Sequence, residues 1–508
     1  MKHKKVEILL VLLILGIAAF FRFYQINSIP PGLYPDEAMN GGNALEVLEN
    51  NSFRVFYPEN NGREGFFINI QALFVGLFGN EAWVLRIVSA IFGTLTVLGL
   101  YLLTKQLFDR HIAYFSSFFL AISFWHVNFS RIGFRAIMLP FILVFGFYFL
   151  WKGLKSGHVK YFIWSGIFWG FGFHTYISYR IAPLIVFIVL LNYWSYLKKD
   201  FSLSKYENVK QQLFRGIVVM FACTAVVLMP LLNYFLSNPD SFLTRSGSDL
   251  LVFSQDNPLK EFGLSVVKTL GMFNFYGDYN WRHNLSGSPQ LFWPIGALFA
   301  VGFIKELVHW LRRKHGHFST IHTLLFAWFF IMLLPGFLST EAPHALRTIG
   351  TIPVVMIFAA KGLWWAYEKL HHWFIIYDPV KHSHHEKHLI LNWVLIIFLL
   401  SVSVAEFARY FKNWAPRVSD NFNQKYVDIA NEINDMPAET NKYVVIKTDG
   451  VSIQIPGDPK GRSLPVPTQT IMFLTDTFTY KKQSDKRIFY FTEDEKVPES
   501  QGIVFYVE

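Results

Sequence analysis

The sequence predicts a mainly α-helical fold, a polytopic transmembrane domain followed by a small α/β domain outside the membrane. Three observations predict it. Apolar residues make up 52% of the chain and charged residues only 16%, with 54 Phe among 508 residues. Soluble globular chains carry about 25% charged residues. The apolar residues also gather into runs of bilayer length, because a hydrocarbon core about 30 Å thick takes about 20 helical residues to cross. After Arg409 the composition turns polar, and short β-type runs replace the long apolar ones.

About eleven spans are expected, near 6–24, 82–104, 111–128, 135–152, 161–178, 181–197, 214–236, 290–309, 319–338, 349–369 and 389–408. The first follows Lys2, Lys4 and Lys5, shows no small-x-small cleavage site and runs straight into Arg22-Phe-Tyr-Gln. It is expected to stay as an uncleaved helix, not a signal peptide. Cys223 is the single cysteine and lies in an apolar run, which excludes an intrachain disulfide framework.

The net charge of +10 does not imply a nucleic-acid partner. Lys and Arg collect in short loops between spans: Lys105 and Arg110; Lys152, Lys155 and Lys160; Lys198, Lys199, Lys205, Lys210 and Arg215; Lys305, Arg312, Arg313 and Lys314; Lys381 and Lys387. Such loops stay in the cytoplasm. In a plasma (inner) membrane this puts the N-terminus inside. It puts the loops 25–81 and 237–289 and the C-terminal domain outside. The division expected is residues 1–410 for the membrane domain and 411–508 for the outer one.

In the first outer loop, Asp36-Glu37 opens a helical stretch from Ala38 to Asn50. A second apolar stretch, Phe66 to Phe78, is too short to span and is expected to lie in the membrane plane. Beyond residue 411, a helical pattern from Tyr426 to Met436 precedes β-type runs at Tyr443-Val-Val-Ile-Lys, Thr470-Ile-Met-Phe-Leu, Arg487-Ile-Phe-Tyr-Phe and Ile503-Val-Phe-Tyr-Val.

Chemistry concentrates in the outer loops. Pro30-Pro-Gly-Leu-Tyr-Pro-Asp-Glu-Ala38 sets two carboxylates in a turn stiffened by prolines. A carboxylate held at the membrane face acts as a general base toward a hydroxyl. The same pair equally serves as helix cap and first-turn acid. Arg63, Arg131, Arg135, Arg180, Arg282 and Arg347 form an unusual set for outer loops. Arginine binds phosphate bidentately and keeps its charge where water is scarce. Snorkelling from helix ends, or ion pairing with Glu59, Glu64 or Glu341, would also account for them.

Glu341-Ala-Pro-His-Ala-Leu-Arg347 offers His344 as metal ligand, proton carrier or cap. His126, His174 and His283 carry the same alternatives. Tyr276-Gly-Asp-Tyr-Asn-Trp-Arg282 is an aromatic segment suited to a sugar or a lipid, and His371 to His388 is rich in histidine on the cytoplasmic side. No phosphate-binding Gly-rich loop, HExxH or GxSxG occurs, which disfavours an ATP-driven pump and membrane hydrolases of those types.

Taken in order, these pieces resemble the GT-C membrane glycosyltransferases of family 39, the protein O-mannosyltransferase and aminoarabinose-transferase type. The resemblance covers roughly residues 8–370. It rests on Asp36-Glu37 after the first span and on Arg63-Glu64 before the in-plane helix. It rests also on Ser130-Arg-Ile-Gly-Phe-Arg135 between the third and fourth spans, and on His344 and Arg347 before Pro353.

The resemblance implies a polyprenyl-phosphate sugar donor, an acceptor hydroxyl on protein, lipid or glycan, and inverting displacement at the outer face. It implies Asp36 as base, with Glu37 assisting it or binding a metal. Arg63, Arg131, Arg135 and Arg347 would bind the donor phosphate. Glu64, His344 and Tyr34 would contact substrate or a divalent metal ion. The sequence departs from the family at Ala136 and Met138, where relatives often place an acid, and before the in-plane helix, where His-Pro-Pro or Glu-Lys-Pro is usual. No WWDYG is present. A transporter or lipid flippase is the rival reading, and it predicts an internal pseudo-symmetry that the sequence does not display.

Overall fold

A computed structural model describes residues 2–200, 203–242, 255–312, 317–376, 384–448, 451–498 and 502–507. Arg313, Lys314 and Lys381, which enter the charge argument, lie outside the described residues.

Nine helices among the described residues are long and apolar enough to cross a membrane: Lys4–Phe23, Ala82–Leu107, Arg135–Ser156, Ile177–Ser195, Lys210–Ser237, Trp293–Arg312, Ser319–Phe337, Ile349–Phe374 and Glu386–Arg417. The other two expected spans are helical but shorter. The run at 111–128 divides into Arg110–Ile122 and Phe124–Phe129, because Ser123 takes an extended backbone between them. The run at 161–178 stops after Val159–Gly172. There the Tyr179 hydroxyl donates to the Trp169 carbonyl at 2.6 Å and turns the chain back on itself.

The spans sort by partner. Ser319–Phe337 and Ile349–Phe374 are mostly enclosed by other helices, whereas Lys210–Ser237 and Glu386–Arg417 turn most of their surface outward. The outward residues are large and apolar, among them Leu9, Leu191, Val226, Leu236 and Val404. Lipid is the solvent that accepts them. Inside, close helix approach depends on small residues. At the crossing of Trp293–Arg312 with Ile352–Ile376, a Cβ on Gly302 would meet the Phe358 carbonyl oxygen at 1.9 Å.

After the first helix, α1, Lys2–Phe23, the connecting loop folds as α2, Pro35–Asn50, the hairpin strands β1, Phe56–Tyr57, and β2, Arg63–Glu64, and then α3, Gly65–Phe78. The helix α2 begins earlier than the carboxylate pair suggested. Tyr34 is its N-cap, Pro35 supplies the fixed φ of the first position, and Asp36 and Glu37 fall in the first turn. The short apolar helix α3 matches the expected 66–78 stretch in place and length.

Beyond the last span, helix Gln424–Asp435 leads to a three-stranded parallel sheet in the order β6-β3-β7: Ile488–Thr492, Lys442–Ile446 and Ile503–Val507. Its central strand is buried along its whole length, as parallel strands generally are. The hairpin β4, Ser452–Gln454, and β5, Ser463–Pro465, lies between β3 and β6 in sequence.

One expected strand is a helix. Gln469–Leu474 is helical and buried at every residue. Without a polar face the run has no alternation to read, so a strand and a buried helical turn look alike in sequence. That turn buttresses the loop after the first span. Thr470 Oγ1 donates to the Leu33 carbonyl at 2.9 Å, and Asn80 Nδ2 donates to the carbonyls of Phe473 and Leu474, each at 2.9 Å.

Candidate functional site

The polar site lies where α2, the β1–β2 hairpin and the start of the span Arg135–Ser156 meet. A cavity of about 170 Å³ is lined there by Asp36, Asn40, Asn60, Asn61, Arg63, Phe134, Arg135, Ala136, Tyr176 and Leu346. Asp36 is half-buried, and its Oδ1 accepts a 2.8 Å hydrogen bond from Asn60 Nδ2. Asn60, with φ of 51°, and Asn61, with φ of 62°, sit in left-handed conformations that asparagine tolerates, which tightens the hairpin tip over α2.

Two arginines face the same cavity. Arg63 is buried; its Nη1 donates to Asn40 Oδ1 at 2.8 Å and its Nη2 to Asn43 Oδ1 at 2.6 Å. No carboxylate neutralises it at contact distance among the described residues. Burial, and next the neighbouring Arg135 guanidinium, push its pKa down to about 10, so it remains a cation at neutral pH. Arg135 Nε donates to buried Glu64 Oε2 at 2.8 Å. The Nη2 of Arg135 is buried with no hydrogen-bond partner among the described residues. An orphaned guanidinium N–H beside a carboxylate-bearing cavity suits a phosphate oxygen.

The second carboxylate of the pair does something else. Glu37 is fully buried and binds Arg86 twice, Nε to Oε2 at 3.0 Å and Nη2 to Oε1 at 3.2 Å. The Gly133 N–H also donates to Oε2 at 2.7 Å. Arg86 further donates to the carbonyls of Pro30 at 2.6 Å and Gly32 at 2.7 Å. Both carboxylate oxygens and the Arg86 fork are therefore engaged in holding the turn before α2. Gly32 itself has φ of +69°, and a Cβ there would lie 2.2 Å from the Phe422 carbonyl oxygen. Only glycine fits that approach.

Arg131 is likewise absent from the cavity lining. Its Nη1 donates to the carbonyls of Phe21 at 3.0 Å and Arg22 at 2.9 Å, and its Nη2 to those of Tyr24 and Ile29 at 2.8 Å. Those of Phe21 and Arg22 are orphan carbonyls at the end of the first span, and those of Tyr24 and Ile29 lie in the loop that follows. Both terminal nitrogens of Arg131 are thus spent on backbone carbonyls, and its Nε is left without a hydrogen-bond partner among the described residues.

A second polar cluster lies in the loops before the spans Trp293–Arg312 and Ile349–Phe374. Asp278, His283 and His344 are all buried, and one ligand atom from each lies within 4.8 Å of the others. Asp278 Oδ2 is 3.0 Å from His283 Nδ1 and 4.0 Å from His344 Nδ1, and it accepts the Ala345 N–H at 2.8 Å. Burial alone would raise the Asp278 carboxyl; the hydrogen bond and charge of His283, and then His344, outweigh it and hold it below its ordinary value. Burial, and then His283, hold His344 well below the usual imidazole range.

The two clusters adjoin. Leu346 lines the cavity, and Arg347 follows it, its N–H directed at His344 Nδ1 at 3.4 Å. The Arg282 guanidinium stacks 4.2 Å from the Tyr34 ring centre, two residues before Asp36. Burial, and next Asp36, push the Tyr34 phenol up. The structure thus gathers Asp36, Arg63, Arg135 and Glu64 in one place, puts Tyr34, His344 and Arg347 beside it, and engages Glu37 and Arg131 with protein groups outside the cavity lining. The sequence reading did not single out Arg86, the Asn60-Asn61 tip or the grouping of Asp278 with two histidines. Asp278 and His283 are five apart, but His344 lies in another loop, so no short motif announces the cluster.

With that geometry in place, the comparisons with known proteins agree on the architecture. Residues 66–229 match the family model described as dolichyl-phosphate-mannose-protein mannosyltransferase. A Bacillus subtilis (strain 168) protein named "Putative mannosyltransferase YkcB" is 27% identical over 203 residues, which is 38% of this chain and 27% of that protein. The chain therefore matches about a quarter of that relative's length.

Two solved structures share the fold over nearly the whole chain. The oligosaccharyltransferase AglB from Archaeoglobus fulgidus, in complex with an inhibitory peptide and a dolichol-phosphate, aligns at TM-score 0.55 and 14% identity, over 93% of this chain and 64% of its own. ArnT from Cupriavidus metallidurans, bound to undecaprenyl phosphate, aligns at TM-score 0.54 and 15% identity, over 95% of this chain and 90% of its own. This chain is a multi-pass membrane protein of the GT-C fold, as the sequence resemblance implied, and its residues 66–229 match the dolichyl-phosphate-mannose-protein mannosyltransferase family model.

Proposed function

We propose that this chain is a glycosyltransferase that moves a hexosyl or pentosyl unit from a polyprenyl-phosphate-linked donor to an acceptor hydroxyl, at the outer membrane face and by a single inverting displacement. The observation that carries the reading is the cavity in which the Asp36 carboxylate shares walls with the Arg63 and Arg135 guanidinium groups. A base and a phosphate clamp are the two things a displacement at a phosphate-linked anomeric carbon needs.

In this reading Asp36, oriented by Asn60, takes the acceptor proton. The acceptor oxygen attacks the anomeric carbon from the face opposite the phosphate. Negative charge grows on the departing phosphate, where Arg63 and the open Nη2 of Arg135 meet it. Both donors are held by fixed partners, so little reorganisation accompanies the reaction. Arg347 approaches from the loop beside His344. A divalent ion bound nearby would add charge neutralisation at the phosphate. The lipid tail keeps the donor in the bilayer, and residues 411–508 form an outer domain that closes over the first loop.

Three kinds of support converge. The structural neighbours were solved with dolichol-phosphate and undecaprenyl phosphate, the family model is that of a lipid-phosphate-dependent transferase, and Lys and Arg are concentrated in one set of loops. The test is reconstitution of the purified chain in liposomes with radiolabelled polyprenyl-phosphate sugars. Transfer with inversion at the anomeric carbon and release of polyprenyl phosphate is expected. A folded protein that neither binds polyprenyl phosphate by native mass spectrometry nor transfers any of the sugars would remove the reading.

A further inference from the structure

We infer that Asp278, His283 and His344 form a binding site for a single divalent transition-metal ion of the zinc type. The inference stands apart from the transferase reading, because none of the three residues lines the cavity that holds Asp36.

The spacing supports it. A tetrahedral ion with bonds of roughly 2.0–2.2 Å separates its ligand atoms by roughly 3.3–3.6 Å. The two distances from Asp278 Oδ2, 3.0 Å to His283 Nδ1 and 4.0 Å to His344 Nδ1, bracket that edge. At 4.0 Å the His344 contact is too long for a hydrogen bond. The His283 and His344 rings lie 4.9 Å apart, centre to centre, so the two imidazoles flank the carboxylate together.

The support is rigid. Asp278 is fixed by the Ala345 N–H, which ties the loop of Asp278 to that of His344, and Asn284 Nδ2 donates to the Asp278 carbonyl at 3.2 Å and to the Ser288 carbonyl at 2.6 Å. A hydrogen-bonded Asp–His pair alone would account for Asp278 and His283. It leaves His344, a buried imidazole brought in from a different loop, outside the pair; its Nδ1 meets the Arg347 N–H at 3.4 Å and its Nε2 lies 3.5 Å from Glu341 Oε2.

Two imidazoles and one carboxylate suit Zn²⁺, Co²⁺ or Mn²⁺ better than Mg²⁺ or Ca²⁺, which prefer oxygen. In the metal-bound tautomer the His283 ring proton sits on Nε2, and Nδ1 presents its lone pair to the metal. Three protein ligands leave a fourth position open. The ion's two positive charges are only half offset by Asp278, and the cation Arg347 lies beside His344. The open position therefore takes an anionic oxygen ligand, such as a phosphate or a carboxylate.

The experiment measures metal directly. The full chain is purified in detergent, stripped with a chelator, dialysed against Zn²⁺ and analysed for metal per polypeptide. His371 Nε2 and His388 Nδ1 lie 3.1 Å apart at the surface and offer a competing site. All measurements are therefore made in the His371→Ala/His388→Ala background. About one ion per chain is expected to be retained, lost in His283→Ala/His344→Ala and weakened at least about tenfold in Asp278→Asn.

Equal retention with and without His283 and His344, or no retention at all, overturns the inference. Should the loop variants fail to fold, the Co²⁺-loaded parent decides. Strong visible absorption of a four-coordinate ion supports the site, and the weak spectrum of hexaaqua cobalt overturns it. Because no sugar donor is present, failure here leaves the Asp36 reading standing, and failure of that reading leaves this one standing.

Discussion

Asp36 and Glu37 are neighbours in sequence and opposites in structure. Asp36 is half-buried, meets one asparagine and opens onto a cavity shared with two arginines. Glu37 is fully buried, chelated by Arg86 and capped by the Gly133 N–H. The arginines divide the same way. Arg86 and Arg131 direct both terminal guanidinium nitrogens to a buried carboxylate and to backbone carbonyls, while Arg135 keeps its Nη2 unpaired beside the cavity. A buried carboxylate whose partners are all protein groups holds the chain in place; one whose partners leave room for a substrate can do chemistry. One helical step of 100° separates these outcomes, because it turns Glu37 toward the membrane domain and leaves Asp36 facing the hairpin.

That contrast can be broken at each of its parts. The largest effect is expected at Arg86. Replacing it by Ala leaves Glu37 buried without its ion partner, a loss of about 3–5 kcal/mol. Thermal unfolding of the detergent-solubilised protein should record it as a large drop in midpoint, with transfer lost only in proportion to the folded fraction. Next comes Arg131→Lys. A single ammonium cannot reach the four carbonyls that the guanidinium spans, so stability should fall by about 1–3 kcal/mol while the KM for donor in the surviving protein stays unchanged. A raised KM would return Arg131 to the phosphate site.

Arg135→Gln tests the other side. Loss of a charge-assisted contact of about 1.5–3 kcal/mol should raise the donor KM by roughly 10- to 100-fold. Glu64 loses its partner in that variant, so Glu64→Gln/Arg135→Gln is the control in which the KM defect persists after stability is restored. The smallest effect is at Asn60→Ala, where removal of the hydrogen bond that orients Asp36 should lower kcat several-fold, about 0.5–1.5 kcal/mol, without moving the KM. Single-turnover kinetics would separate the two parameters.

Much of this fold was legible in the sequence because membranes impose length and polarity on helices directly. The short apolar helix at 65–78, the place of Asp36-Glu37 within a structured loop after the first span and the C-terminal α/β pattern all followed from runs and breaks in hydrophobicity. Three features did not. Ser123 and Tyr179 interrupt apolar runs through backbone geometry and a tertiary hydrogen bond, which hydropathy does not register. Residues 469–474 are buried on every side, so their period is hidden. The roles of Glu37, Arg131 and Asp278 depend on partners roughly 50 to 110 residues away in the chain, and residue type alone cannot say which arginine meets which acid.

The division between the two carboxylates is tested most directly by measuring transfer rate and thermal midpoint side by side for Asp36→Asn and Glu37→Gln. The account predicts that Asp36→Asn keeps the wild-type midpoint and loses transfer by at least about 100-fold, the scale of a general base. It predicts that Glu37→Gln lowers the midpoint while the folded remainder stays active. Full transfer by a folded Asp36→Asn protein, or an inactive Glu37→Gln protein of unchanged stability, would contradict it.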